Sequence, residues 1–310
     1  MEKTITKSIM GDKKNKSVIE FIAKWIFLIF AIVAVAAVFS ITAYMIFLGT
    51  PALSRVGVLE LLFGTEWKPT AEEPAFGIFY VILTSVLGTV AALLIGVPVG
   101  ILTAVFLAEV SHKKVSSVVQ PAVELLAAIP SVIYGLIGVM ILKPFMFQVE
   151  KMIFEDSKTH QFTGGANLLS AILVLSIMIL PTVINISTSA IKAVEPSIKS
   201  ASLALGASKI QTIFKVIIPA AKSGIMTAVV LGLGRALGEA MAINMVAGNS
   251  VNLPLPFSSV KFLTTAIVSE MSYSTDLHRQ VLFTIGLILF AFIMFTNMIL
   301  TRIIKKGDAN

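Results

Sequence analysis

The chain has 310 residues, of which 56% are hydrophobic and only 13% are charged. Because soluble domains carry about 25% charged residues, this balance excludes an ordinary soluble domain and indicates an integral membrane protein. The absence of cysteine excludes a disulfide framework and a thiolate metal site. The three histidines, at 112, 160 and 278, show no metal-ligand spacing, so we expect this chain to bind no metal and no cofactor.

Six stretches along the chain are long and apolar enough to cross a membrane. A spanning helix needs about 20 predominantly apolar residues, and continuous apolar runs of this length indicate helices rather than a barrel. The sequence therefore predicts an all-α integral membrane protein with six transmembrane helices. In chain order the six stretches are Trp25–Leu48, Ile78–Leu107, Val118–Leu142, Ala166–Ile191, Ile225–Val246 and Val281–Ile304.

The basic residues predict the orientation. Most of the 24 Lys and Arg residues fall in alternate connections and in both tails, namely 1–24, 109–117, 192–224 and the C-terminal tail 305–310 with Arg302 just before it. Cytoplasmic segments are enriched in Lys and Arg, so both termini are predicted to be cytoplasmic. The net charge of +7 reflects this bias, and we expect no nucleic-acid partner.

The sequence lacks the motifs of the common membrane and soluble catalysts. It contains no HExxH zinc motif, no GxSxG nucleophile elbow and no GxxxxGK[ST] phosphate loop. The four aspartates lie in polar tails or loops, so no aspartyl pair is available in the membrane. We therefore predict no catalytic residues and no hydrolysis of ATP by this polypeptide.

The long polar connection contains SASLALGASKIQTIFKVIIPAA, residues Ser200–Ala221. Apolar residues recur at helical spacing on both sides of Gly206, which predicts two short helices joined at a glycine. Pro219 is expected to end the second helix just before the next span. From the pattern alone, an amphipathic helix lying on the membrane surface remains open.

The spacing of this segment resembles the coupling motif of ABC importer permeases. That motif reads E-A-A, three residues, G, nine residues, I-x-L-P, and Ser200 stands where it has its acidic residue. The resemblance implies that the segment docks on a separate ATPase subunit, but it implies no ion pair from position 200. The matching residues are Ser200, Ala201, Ser202, Gly206, Val216, Ile218 and Pro219.

Three further segments resemble PstC-type permeases of phosphate-specific ABC importers: FGTEWKPT, ELLAAIPSVIYGL and GRALGEAMAINMVAGN, beginning at Phe63, Glu124 and Gly234. The resemblance implies the type I importer permease fold in a bacterial-type cytoplasmic membrane. It also implies a PstA-type second permease, a dimer of PstB-type ATPase that uses ATP and Mg, and an extracytoplasmic phosphate-binding protein. The pentapeptide RALGE also resembles sulfate and molybdate permeases, which leaves that substrate class open.

The resemblance divides the chain into five parts. A tail at 1–24 precedes a first transmembrane helix at 25–48 and an extracytoplasmic loop at 49–77. The ABC transporter transmembrane core is predicted at 78–304, including the cytoplasmic coupling segment 192–224. A short cytoplasmic tail at 305–310 ends the chain.

Arg235 and Glu239 form the most unusual feature, because charged residues inside a span are costly and face a bundle interior or a watery cavity. Residues four apart lie on one helix face, so the sequence predicts an ion pair within the fifth helix. Gly232, Gly234 and Gly238 are predicted to permit close helix packing. In one interpretation the pair only locks helices together.

In the other interpretation Arg235 lines the substrate path and binds phosphate oxygens, while Glu239 moderates that binding. Guanidinium stays charged and offers paired N–H donors that match an oxyanion. A proton-coupled secondary transporter, in which the two residues relay protons, is the alternative from another class.

Overall fold

The computed structural model describes the backbone of residues 2–308 and the side chains of residues 20–302. The predicted tails, 1–24 and 305–310, lie mostly outside the described side chains. The described chain is helical apart from loops and one short antiparallel hairpin, β1 (Trp67–Lys68) and β2 (Ala75–Phe76). The helices are α1 (Glu2–Val56), α2 (Val58–Phe63), α3 (Phe79–Val105), α4 (Lys113–Ala128), α5 (Ser131–Ile137), α6 (Lys143–Ile153), α7 (Leu168–Lys192), α8 (Pro196–Ala204), α9 (Lys209–Thr212), α10 (Ile218–Ala220), α11 (Lys222–Gly238), α12 (Met241–Val246), α13 (Leu263–Glu270) and α14 (Asp276–Asp308).

In the described part of the chain, three π-helical turns join or extend these helices. They lie at Phe106–Val110 after α3, at Gly138–Leu142 between α5 and α6, and at Ile213–Ile217 between α9 and α10.

Among the described residues, five helical segments are long and apolar enough to cross a membrane. A sixth crossing is obtained if the two helical segments around Ala221, which meet at a bend of 69°, count as one span. The all-α membrane class predicted from the sequence is thus confirmed, and the predicted six spans equal the higher of these two counts. The five straight segments are Glu20–Val56, Phe79–Val110, Ser131–Ile153, Leu168–Lys192 and Asp276–Arg302.

The third predicted span, Val118–Leu142, is wrong. The helix stops at Ala128, Ile129 is extended (φ −66°, ψ 127°), and a new helix begins after Pro130. Proline lacks an N–H donor and disfavours helical backbone at the residue before it. The third span therefore runs over Ser131–Ile153, and 143–153, which the sequence placed in a loop, belongs to it.

The first span also extends further than predicted. Helix α1 continues past Leu48 to Val56, and Pro51 lies inside it. Its last turns pack on α14, where the Thr284 hydroxyl donates to the carbonyl of Gly49 at 2.7 Å. The predicted extracytoplasmic loop 49–77 thus contains the end of α1, helix α2 and the hairpin.

Helix α7 is the centre of the bundle and packs on α3 through small residues. A Cβ added at Gly96 would lie 2.6 Å from Ile179, and one at Gly100 would lie 2.7 Å from Val183. The Ser176 hydroxyl also donates to the carbonyl of Ala92 on α3 at 3.3 Å. Small residues let helix backbones approach closely in a membrane, where water does not drive association.

A buried charged cluster joins several elements at the hairpin end of the molecule. The Glu270 carboxylate forms an ion pair with Lys261 and accepts hydrogen bonds from the Trp67 indole at 3.1 Å. His278 Nε2 lies 2.8 Å from the same carboxylate. The carboxylate thus holds the hairpin, the loop before α13 and the start of α14 together.

We expect Glu270→Ala to be strongly destabilising. Removing one partner of a buried ion pair costs about 3–5 kcal/mol because the other charge is left uncompensated. Glu66→Ala is the matched control, since its pair with Lys68 is mostly exposed and such pairs contribute about 0–1 kcal/mol. Thermal unfolding of the two purified variants measures the difference, and equal midpoints would contradict a stabilising role of the cluster.

Candidate functional site

Arg235 lies in the last turn of α11 and is half-buried. Its Nη1 atom is 3.5 Å from the Thr182 hydroxyl on α7, at the outer limit of a hydrogen bond. Within the part of the chain that the structure describes, this is the only hydrogen bond of the guanidinium, and no carboxylate lies within ion-pair distance of it. Since guanidinium carries five N–H donors, most of its donors have no partner among the described residues.

The predicted ion pair between Arg235 and Glu239 is wrong. Helix α11 ends at Gly238, and Glu239 is extended (φ −76°, ψ 123°). Its buried carboxylate accepts a hydrogen bond from the backbone N–H of Ala242 at 2.9 Å, in the first turn of α12. Residues four apart meet only on a continuous helix, and here the carboxylate instead satisfies a free N–H at the start of the next helix.

The helix break at Glu239 is also stabilised by a hydrogen bond from a neighbouring helix. The Thr264 hydroxyl, on α13, donates to the Glu239 carbonyl at 2.8 Å. That carbonyl would have accepted a bond within a continuous helix, so Thr264 compensates for the interruption. The predicted fifth span, Ile225–Val246, is consequently two helices, α11 and α12.

The three predicted packing glycines differ in their surroundings. A Cβ added at Gly232 would lie 3.2 Å from Val183, so this glycine packs α11 against α7. At Gly234 and Gly238 an added Cβ would meet no described atom within 4 Å. The packing predicted for these two residues is therefore absent within the described part of this chain, and both leave open space beside Arg235.

A second broken helix meets the first. At Gly135 or Gly138, on the α5 side of the Pro130 break, an added Cβ would lie 2.7 Å from a side chain of α12. The Tyr134 hydroxyl donates to the carbonyl of Leu126 at 2.7 Å and so bridges that break. The close contacts of Gly135 and Gly138 with α12 place the Pro130 break beside the helix that follows the Glu239 break.

Sequence reasoning did not identify Thr182, Tyr134 or Thr264. The available signal for Thr182 was a polar residue within an apolar span, which favours a position facing the interior. For Tyr134 the available signal was its position four residues after Pro130. For Thr264 no local sequence pattern indicated a hydrogen bond to Glu239.

The coupling segment folds as predicted, as two helical arms joined at a glycine. Gly206 has φ +81°, a left-handed conformation that glycine adopts without steric cost. The hydroxyls of Ser202 and Thr212 lie 3.0 Å apart and tie the arms together. The second arm ends just after Pro219, at Ala220, where the chain bends into α11.

The two arms combine a buried inner face with an apolar outer one. Ile213 and Ile217 are buried in a cluster with the end of α3 and the start of α11. Leu205, Ile210 and Phe214 are exposed, and Leu205 has 90% of its surface free. Of the motif residues, Ser200, Ala201, Gly206 and Pro219 are exposed, whereas Ser202, Val216 and Ile218 are half-buried.

Residues 96–307 match the family model described as the binding-protein-dependent transport system inner membrane component. The chain belongs to this family. It is therefore the permease component of an ABC importer and a multi-pass membrane protein. The matched region includes the coupling segment, Arg235 and the break at Glu239.

Curated relatives of this permease align over nearly its whole length. It is 37% identical over 311 residues to the probable ABC transporter permease protein YqgH of Bacillus subtilis, covering 96% of each chain. It is 30% identical to the phosphate transport system permease protein PstC of Pasteurella multocida, covering 95% of this chain and 96% of the relative. PstC of Haemophilus influenzae is 32% identical, with 92% of each chain covered. The resemblance to PstC-type permeases is thereby confirmed.

Solved structures show the same permease fold. A bacterial alginate ABC transporter, crystallised with an alginate-bound periplasmic protein, aligns with a TM-score of 0.59 at 19% identity, covering 90% of this chain and 96% of the other. An inward-facing MetNI methionine transporter aligns with a TM-score of 0.51 at 20% identity, covering 74% and 94%. The predicted type I importer permease fold is confirmed.

Proposed function

We propose that this permease translocates inorganic phosphate across the cytoplasmic membrane in an ATP-driven importer. The observation that carries the proposal is a half-buried Arg235 with no anionic partner among the described residues. The PstC relatives support phosphate as its oxyanion, since they align over more than nine-tenths of the chain.

Arg235 suits this role because of its chemistry. Guanidinium remains charged at any relevant pH and presents paired donors to tetrahedral oxyanions. The open space at Gly234 and Gly238 allows a second permease to approach beside Arg235. We place the substrate path at this junction with a PstA-type partner.

The exposed outer face of the coupling segment is assigned to a PstB-type ATPase dimer. Leu205, Ile210 and Phe214 present apolar side chains, and buried apolar anchors carry most of the energy of protein interfaces. ATP and Mg are used on that partner, and an extracytoplasmic phosphate-binding protein delivers the ion at the hairpin end. Both termini and the coupling segment then face the cytoplasm.

Glu239 acts in this proposal by fixing the bend that positions Arg235. We expect Glu239→Gln to keep near-normal uptake, because an amide oxygen still accepts from the Ala242 N–H. Glu239→Ala removes the acceptor and should cost about 0.5–2 kcal/mol of stability, as for other helix caps. Thermal unfolding and phosphate uptake check both variants. Loss of uptake in a fully stable Glu239→Gln variant would instead support the moderating role that the sequence suggested.

The substrate is tested in the reconstituted complex with its ATPase, second permease and binding protein. We expect phosphate-loaded binding protein to stimulate ATP hydrolysis, and sulfate or molybdate to leave the basal rate unchanged. Stimulation by sulfate or molybdate alone would contradict the proposal and assign the chain to the other oxyanion class.

A further inference from the structure

An ion pair outside the substrate site joins the coupling segment to the membrane core. Lys199, on α8, pairs with Glu109, which lies in the π-helical turn that ends the second span. The Glu109 side chain is only 9% exposed, whereas that of Lys199 is 38% exposed. The pair links segments 90 residues apart in the sequence.

Helix α8 has few other attachments. None of its residues is buried, so apolar packing does not hold it against the core. A side-chain hydrogen bond between Ser202 of α8 and Thr212 of α9 stays within the coupling segment itself. The Lys199–Glu109 pair is therefore a direct polar connection from α8 to the transmembrane core.

The other end of the connection is rigidly placed. Glu109 directly continues α3, which packs along α7 through Gly96 and Gly100. A nearly buried carboxylate is costly without its counter-charge, so Glu109 favours positions of α8 that keep Lys199 close. A displacement of α8 is then transmitted to α3 and onward to α7, which carries Thr182 beside Arg235.

We propose that Glu109 and Lys199 are positioning residues that couple movement of α8 to the transmembrane helices during the ATP-driven cycle. This proposal rests on the function proposed above. The ion pair lies next to position 200, where the importer motif has an acidic residue and this sequence has serine.

Charge reversal in the full reconstituted transporter tests the link. We expect Glu109→Lys and Lys199→Glu each to lower the ratio of phosphate-stimulated to basal ATP hydrolysis by about tenfold, within the usual range of coupling between sites. The ATPase should still co-purify with each variant, and the double reversal should restore the ratio. Unchanged ratios in the single variants, or no recovery in the double variant, would overturn the proposal.

Spin labels provide a second measurement that does not depend on the substrate. The chain has no cysteine, so Ser111→Cys and Ser200→Cys can be labelled without removing native thiols. In the assembled wild-type transporter we expect the same narrow distance distribution between the two labels with and without ATP, because the ion pair holds α8 to the end of the second span. With Lys199→Glu added, the distribution should broaden when ATP binds. Unstimulated wild-type hydrolysis would contradict phosphate as substrate, whereas an unaltered distance distribution in the Lys199→Glu variant would contradict the link.

Discussion

Arg235→Lys should reduce phosphate uptake by about 10- to 100-fold while leaving the assembled transporter intact. A hydrogen bond to a charged group contributes about 1.5–3 kcal/mol, and each 1.36 kcal/mol corresponds to a tenfold change in rate. Lysine keeps the positive charge but loses the planar pair of donors that matches two oxygens of one phosphate. The expected loss is therefore the contribution of the second donor.

The structure explains why this variant should remain folded. Among the described residues the guanidinium makes a single long hydrogen bond, 3.5 Å to Thr182, and no ion pair depends on it. Arg55→Lys is the control, because Arg55 is an exposed arginine at the end of α1. The two variants should differ in radiolabelled phosphate uptake, whereas their thermal unfolding midpoints should be the same. Near-normal uptake by Arg235→Lys would refute two-donor binding by Arg235.

Leu205→Asp should detach the ATPase from the permease. Leu205 is the most exposed apolar side chain of the coupling segment, next to the turn at Gly206. Interface anchors of this kind contribute about 2 kcal/mol or more when truncated, and a carboxylate in their place adds a desolvation cost. We expect the affinity of the ATPase to fall by about 30-fold or more, as the same energy implies.

Ser200→Glu is the matched control for this experiment. It restores the acidic residue of the importer motif at an exposed position of the same segment, so a new charge alone is not expected to prevent docking. Co-purification of a tagged ATPase gives the readout for both variants. Equal recovery of the ATPase with wild type and Leu205→Asp would contradict docking through this face.

Long apolar runs made most of the membrane fold predictable from the sequence. The number of spans follows from the length that a helix needs in lipid, and the two arms around Gly206 follow from periodicity and a residue suited to φ > 0. Both are local properties, so they can be predicted without knowing how the helices pack. The exact helix ends cannot be predicted in this way, as the extension of α1 to Val56 shows.

The errors arose where a helix was interrupted inside an apolar run. Apolar residues predominate on both sides of Pro130 and Glu239, so hydropathy does not reveal that the backbone is extended at Ile129 and Glu239. At Pro130 the missing N–H was a readable signal. At Glu239 the break leaves a backbone carbonyl without a helical partner, and the hydroxyl of Thr264, which is distant in the sequence, donates a hydrogen bond to it. Such long-range compensation has no local sequence pattern.

Phosphate uptake by proteoliposomes is a direct test of ATP-driven phosphate import by this permease. The vesicles contain the complete transporter, with ATP enclosed on the ATPase side and phosphate-loaded binding protein on the other. We expect accumulation of radiolabelled phosphate that requires ATP and the binding protein and is unaffected by an uncoupler. Accumulation without ATP that an uncoupler abolishes would contradict ATP-driven import and would instead favour a proton-coupled secondary transporter.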